Sequence, residues 1–304
     1  MKKSFSLAGY FFGEKLQQLN EPIGLINASW GGIRAEAWTP KDTIENHPIL
    51  KEAADHLKPV PCGQINAGAI YKAMIYPITN FSIAGVIWYQ GEANVGNALT
   101  YGHLLSAMIN SWRKVWQKNL PFYFVQIAPF AGYGKNISSA LLREGQAQAL
   151  STPNTGMILI DDLVSDINDI HPKNKKDVGL RLANYALAET YGKKVLVHKS
   201  LMYRNMKIEK NKIRIYFDNA ENGLISKGGA PDEFYIAGDD KKFMPASTKI
   251  EGNTVVVWNK KLKSPVAVRF GFTNSAMPDL FSKEGLPVNI FRTDDWNEIN
   301  TIQE

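Results

Sequence analysis

The sequence predicts an α/β protein: a doubly wound domain around a parallel sheet over residues 1–193, then a β-sandwich-like module over residues 194–304. Three observations carry this. Apolar runs such as Ile83 to Tyr89 are too short for a buried helix and read as strands covered on both faces, which belong to parallel sheets. Between such runs stand longer segments with apolar residues at helical spacing. Beyond Tyr191-Gly192 the pattern changes to short β-like runs separated by turn signals.

Taken in order, Phe5, Ala8, Phe12, Leu16 and Leu19 recur at helical spacing and Asn20 closes the segment, although Gly9 and Gly13 weaken a helix there. Pro22 to Asn27 reads as a buried strand that exits into Ser29-Trp30-Gly31-Gly32, where the paired glycines let backbone amides approach a ligand. A polar, helical and loop-rich stretch, Glu36 to Ala73, leads to the strand Ile83 to Tyr89 and its exit Gln90-Gly91-Glu92-Ala93-Asn94. Leu104, Leu105, Met108, Ile109, Trp112 and Trp116 mark a helix over Tyr101 to Trp116. A strand over Pro121 to Ile127, a helix over Ser138 to Leu150 and a strand over Thr155 to Asp161 follow. The next exit holds Asp162, Asp166, Asp169 and His171, with Pro172 suited to the first position of a helix that buries Val178, Leu182, Tyr185 and Ala186. In the C-terminal module, Lys212 to Phe217, Thr254 to Trp258 and Val266 to Phe270 are strands, with turns at Glu221-Asn222-Gly223 and Glu251-Gly252-Asn253.

Composition narrows the functional classes. The 304 residues are 44% hydrophobic and 21% charged, an ordinary globular balance. The net charge of +6 is scattered, with small clusters at Lys173, Lys175 and Lys176 and at Lys207, Lys210 and Lys212; no aromatic-interleaved basic stripe points to nucleic acid. Cys62 is the lone cysteine, which excludes an intramolecular disulfide and Cys-based zinc sites. Met1-Lys2-Lys3 with the apolar run behind it imitates a signal peptide, but no small-residue cleavage site follows, so the segment reads as the first helix. No apolar run is long enough to span a membrane, and no Gly-x-Gly-x-x-Gly motif suggests a nucleotide.

Open α/β sheets bind ligands at the carboxyl ends of their strands. Three strand exits therefore supply the parts for acyl transfer: amides at Gly31 and Gly32, the turn Gly91 to Asn94, and a histidine among carboxylates. His171 suits a general base, and a neighbouring aspartate would fix its tautomer and support the imidazolium. Plainer roles compete: His171 as a surface residue at a helix start, Asp169 as that helix's N-cap, and Gly31-Gly32 and Asn94 as turn residues. Ser29 lacks a Gly-x-Ser-x-Gly elbow and is a weak nucleophile candidate.

These residues together resemble a known family. Asn27-Ala-Ser-Trp-Gly-Gly, Glu36-Ala-Trp38, Val86-Ile-Trp-Tyr-Gln-Gly-Glu-Ala-Asn94 and Asp169-Ile-His-Pro-Lys-Asn-Lys175 look like the sialate O-acetylesterases of the SGNH hydrolase superfamily. Val268-Arg-Phe-Gly-Phe, Gly285-Leu-Pro287 and Phe291-Arg-Thr-Asp294 fit as well, so the similarity covers nearly the whole chain. The resemblance implies a flavodoxin-like sheet and a serine esterase that removes acetyl groups from sugars without metal or organic cofactor. It implies a periplasmic or secreted location and an acetylated sugar as the partner. By motif, Gly32 and Asn94 correspond to oxyanion donors and His171 to the base, while Gln90, Glu92, Glu36 and Trp38 line the sugar side. Asp169 is the choice for the orienting acid. Related enzymes usually place that acid three residues before the histidine, where this chain has Asn168, and Asp166 competes.

One departure concerns the nucleophile. The family carries it in a Gly-Gln-Ser-Asn motif on the first strand, and this sequence has none; Gly63-Gln64-Ile65-Asn66 is a near match with isoleucine in the serine's place. The chain is expected to start after that strand, to lack a central strand of its sheet, and to be inactive alone. The alternative is a noncatalytic carbohydrate-binding remnant.

Overall fold

The computed structural model describes residues 5–57 and 66–296. Cys62, the near match at Gly63 to Ile65, and Met1 to Ser4 lie outside the described residues. The chain divides into two compact units, one formed by residues 1–127, 141–158 and 174–198, the other by residues 128–140, 159–173 and 199–304.

The first unit is the α/β one. Strands β1 (Val86–Tyr89), β2 (Phe122–Val125) and β3 (Thr155–Ile158) form a parallel sheet in the order β1-β2-β3. Helices α1 (Leu7–Leu16), α2 (Ala35–Trp38), α3 (Lys41–Glu45) and α4 (Pro48–Asp55) precede β1, and α5 (Tyr101–Trp116), α6 (Ser138–Gln148) and α7 (Lys175–Glu189) follow β1, β2 and β3 in turn. The α5 bounds match the periodic segment, and Leu104, Leu105, Met108, Ile109 and Trp112 are its buried face. Ser6 caps α1 by accepting from the Gly9 amide at 3.1 Å, and Asn20 ends the following 3-10 turn in the left-handed conformation.

Glycines that weaken a helix in isolation serve packing here. A Cβ on Gly179 of α7 would meet the Ala8 carbonyl oxygen at 2.6 Å, so α1 and α7 approach backbone to backbone. Gly102 of α5 does the same against the Gly145 carbonyl at 2.8 Å.

Two expectations are corrected. Pro22 to Asn27 is not a buried strand: it runs as largely exposed, irregular chain, and no described strand pairs with it. β-Propensity expresses fit to a pleated neighbour, and without a ladder partner the apolar run forms no strand. Pro172 does not open the next helix. That helix starts at Lys175, capped by Asn174, whose side chain accepts from the Asp177 amide at 3.1 Å; this local bond sets the start.

The second unit is antiparallel. Its strands are β4 (Met202–Glu209), β5 (Lys212–Asp218), β6 (Leu224–Ser226), β7 (Phe234–Ala237), β8 (Met244–Pro245), β9 (Ser247–Glu251), β10 (Thr254–Trp258), β11 (Ala267–Phe270), β12 (Leu280–Ser282) and β13 (Phe291–Arg292). Two four-stranded sheets run β4-β5-β10-β9 and β13-β11-β7-β8, with β12-β6 as a pair. Ile213, Ile215, Val255 and Val257 of the first sheet share a core with Phe234, Ile236, Val268 and Phe270 of the second, as alternation on sandwich strands requires. Gly252, at φ +65°, makes the tight turn between β9 and β10. Within the same unit Asn274 pins the loop of residues 128–140, its Oδ1 accepting from the Ser139 amide at 2.8 Å and its Nδ2 donating to the Gly134 carbonyl at 3.0 Å.

Candidate active site

The carboxyl end of β1 is where the first unit concentrates polar groups inside an apolar frame. Trp88 fixes the strand from below: its ring lies edge-on to Trp38 at 5.7 Å and to Trp112 at 6.0 Å. Three large rings in T-shaped contact make this a rigid support for the turn that follows. At the turn, Gly91 packs so closely that a Cβ would lie 2.5 Å from Ile127 Cγ2.

Asn94 stands at the centre of this turn and is 1% exposed. Its Oδ1 accepts from the Ala35 amide at 2.9 Å and from Gln90 Nε2 at 2.8 Å, while its Nδ2 donates to Glu36 Oε2 at 2.8 Å. Gln90 is held in turn, with Oε1 accepting from the Tyr101 hydroxyl at 2.8 Å and Nε2 also donating to the Ile33 carbonyl at 3.2 Å. Burial pushes the Tyr101 phenol far above its ordinary value, so it stays protonated and donates. Burial also raises the Glu36 carboxyl, an effect partly offset by the Asn94 hydrogen bond, by its own backbone N–H and by the nearby Arg34 charge.

Two residues expected on the sugar side are thus placed inward. Glu36 and Trp38 are each 3% exposed, because α2 turns its first residues onto Asn94 and its last onto the tryptophan cluster. Gln90 is half-buried within the network, and Glu92 is half-buried where the following 3-10 segment begins. Gly32 is exposed, with φ +72°, a conformation that favours glycine, and the Gly31 backbone faces open space. The exposed Ser29 hydroxyl donates to Asn27 Oδ1 at 2.8 Å.

The histidine motif is described within its own unit. The His171 side chain is 85% exposed, and its Nδ1 is 4.0 Å from Asp169 Oδ1, an ion-pair distance rather than a hydrogen bond. That same Oδ1 accepts from the His171 backbone amide at 2.9 Å, so Asp169 shapes the turn and does not cap the helix. Asp166 is engaged by Asn168, whose amide donates to Oδ1 at 2.9 Å. Lys175, the last residue of this motif, belongs to the first unit, where its Nζ lies 3.3 Å from the Tyr89 hydroxyl.

Sequence reasoning overlooked Gln146 and Tyr101. Gln146 is fully buried and stitches two strand exits, accepting from the Ile127 amide at 2.9 Å and donating to the Val125 carbonyl at 3.1 Å and the Gln90 carbonyl at 3.4 Å. Gln146 stands beside Arg143, Glu144 and Gln148 in an otherwise ordinary helical stretch, so no sequence signal singled it out. No group of His, Cys, Asp and Glu residues suited to a metal occurs among the described residues, and no described helix is long and apolar enough to cross a membrane.

Comparison with known proteins identifies the family. A family model described as carbohydrate esterase, sialic acid-specific acetylesterase, matches residues 5–188. The chain is similar to the sialate O-acetylesterase of Homo sapiens, 29% identical over 253 residues that are 70% of this chain and 48% of that protein. It is also similar to the Mus musculus sialate O-acetylesterase, at 26% identity over 87% of this chain and 58% of that protein. Against these curated relatives the chain spans about half of their length. Among solved structures it resembles a carbohydrate acetylesterase from Xanthomonas citri, with TM-score 0.85 and 37% identity, covering 95% of this chain and 65% of the other. The α/β order, the strand-exit motifs and the match over more than half of the sequence lead to one conclusion: the chain belongs to the sialic acid-specific acetylesterase family of carbohydrate esterases.

Proposed function

We propose that the chain works as a carbohydrate O-acetylesterase that removes acetyl groups from sugars by serine-esterase chemistry. The observation that carries this reading is Asn94, an interior carboxamide at the carboxyl end of a parallel strand with one Nδ2 hydrogen not bonded to any described residue. Such a donor suits the oxygen that becomes negative in a tetrahedral acyl intermediate. By motif, the Gly32 amide is the second donor, His171 the base and Asp169 its orienting acid, with Asp166 the competitor. Gln90 and Glu92 shape the sugar side directly, and Glu36 and Trp38 support it from behind.

No serine of the sequence stands in a Gly-Gln-Ser-Asn context, so this chain alone is expected not to turn over acetyl esters. Ser29, whose hydroxyl donates to Asn27 Oδ1, has no Gly-x-Ser-x-Gly elbow around it and is the weak substitute. The test is hydrolysis of p-nitrophenyl acetate by the purified chain. Background rates support the reading; turnover that His171→Ala abolishes would overturn the missing-nucleophile claim and point to Ser29. The expected location outside the cytoplasm is carried by the family resemblance alone and is tested by fractionating cells that express the native gene.

A further inference from the structure

A carboxamide has nearly the same shape in its two flips, yet only one presents hydrogen to an oxyanion. The flipped form would present oxygen and repel it. For Asn94 to act as proposed, the protein must decide between the two.

The hydrogen bonds around Asn94 make that decision through partners whose own polarity is fixed. The Ala35 backbone amide can only donate, and it faces Oδ1 at 2.9 Å. Gln90 also donates to Oδ1, because the same Nε2 faces the Ile33 carbonyl at 3.2 Å, a group that can only accept. Polarity therefore runs one way, from the Ala35 amide and Gln90 Nε2 into Asn94, and ends on a group that can accept, Glu36 Oε2. Ala35 and Glu36 are consecutive in α2, so a single helical turn grips both ends of the amide.

We propose that Glu36 is a positioning residue for the acyl-transfer site. Together with the Ala35 amide it locks the Asn94 carboxamide in the flip that leaves one Nδ2 hydrogen for the substrate's acyl oxygen. This rests on the reading of Asn94 as an oxyanion donor. Glu36 touches neither substrate nor reacting atoms; it acts through Asn94, and Asn97 also hydrogen-bonds to its carboxyl. A buried carboxylate costs stability unless its hydrogen bonds are made, so an apolar residue would serve packing better; the clamp accounts for an ionisable group there.

The test uses the full chain, labelled with nitrogen-15 on asparagine, and sodium acetate as a probe whose carboxylate imitates the acyl oxygen. Asn94→Asp identifies the Asn94 side-chain resonances by their loss. In the wild type the two Nδ2 hydrogens are expected at well-separated shifts, with the one facing Glu36 downfield, and acetate is expected to move the other in a saturable way. Glu36→Gln keeps an acceptor and is expected to keep this pattern. Glu36→Ala is expected to collapse the separation and abolish the acetate response, while backbone amides distant from α2 stay in place. An unchanged Asn94 pattern and acetate response in Glu36→Ala would overturn the positioning role. If Glu36→Ala does not fold, Glu36→Leu takes its place under the same expectations, with thermal melting as the control. An Asn94 signal blind to acetate in the wild type instead sinks the oxyanion reading, and the positioning role falls with it. None of these readouts needs turnover, so an inactive chain does not prevent the decision.

Discussion

The Nζ of Lys175 lies 4.6 Å from the centroid of the Tyr89 ring and 3.3 Å from its hydroxyl, so the first residue of α7 is tied to the last residue of β1. The pair joins two family motifs that are 86 residues apart. Burial raises the Tyr89 phenol well above its ordinary value, with the Glu92 charge adding to the effect, so the hydroxyl stays neutral beside the ammonium group.

Tyr89→Phe keeps the ring face for the cation and removes the oxygen. It is expected to lower stability by about 1 kcal/mol, the scale of one hydrogen bond. Tyr89→Leu loses the ring as well and is expected to cost about 1 kcal/mol more. Urea denaturation of the two variants against the wild type measures both, and equal losses would refute the ring's share.

Gly91→Ala places a methyl group 2.5 Å from Ile127 Cγ2 and 3.1 Å from Leu142 Cδ2. Overpacking of this kind costs about 1–3 kcal/mol, and the strain falls on the turn that carries Asn94. Ile127→Ala in the same chain opens the space and is expected to recover part of the loss, read as the midpoint of thermal unfolding. Additive losses in the double variant would show that the contact is not the cause.

The Glu36 carboxyl is raised from its ordinary value of 4.5 in the native state. The native state therefore holds the proton more tightly than the unfolded chain. Between the ordinary value and the raised one, stability falls as pH rises; below this window the penalty is absent, and above it the penalty is complete. Glu36→Gln cannot titrate, so its stability relative to wild type is expected to improve as pH rises through mildly acidic values and then level off. Paired urea midpoints across that range check the sign, and a difference independent of pH would rule the linkage out.

In the second unit, Arg269 and Asp294 form a fork with bonds of 2.7 and 3.0 Å, and both side chains are 1% exposed. Phe243 covers the guanidinium at 4.2 Å. Removing one partner strands a buried charge, so Asp294→Leu is expected to cost about 3–5 kcal/mol. Replacing both, with Arg269→Met added, is expected to recover most of it. A double variant as unstable as the single one would mean that the pair contributes net stability.

Much of the fold was legible from short-range pattern. The helix over Tyr101 to Trp116 and the strand over Thr254 to Trp258 have the bounds that their periodicity predicts. Pairing was not legible. Pro22 to Asn27 has the composition of a strand and no described ladder partner, and Trp38, expected on the sugar side, completes a buried cluster with Trp88 and Trp112. At the candidate site the motifs marked Glu36 and Asn94 without revealing that they bond to each other.

The sequence by itself determined most of the element types, the exit of β1 that carries Gln90 to Asn94, and the family. The tertiary structure alone decided which of those residues face inward and how each is oriented. The reason is physical: periodicity and propensity act over a few neighbouring residues, whereas the bond that fixes Asn94 joins positions 58 apart in the chain. Such a bond exists only once the intervening chain has folded and excluded water from both partners.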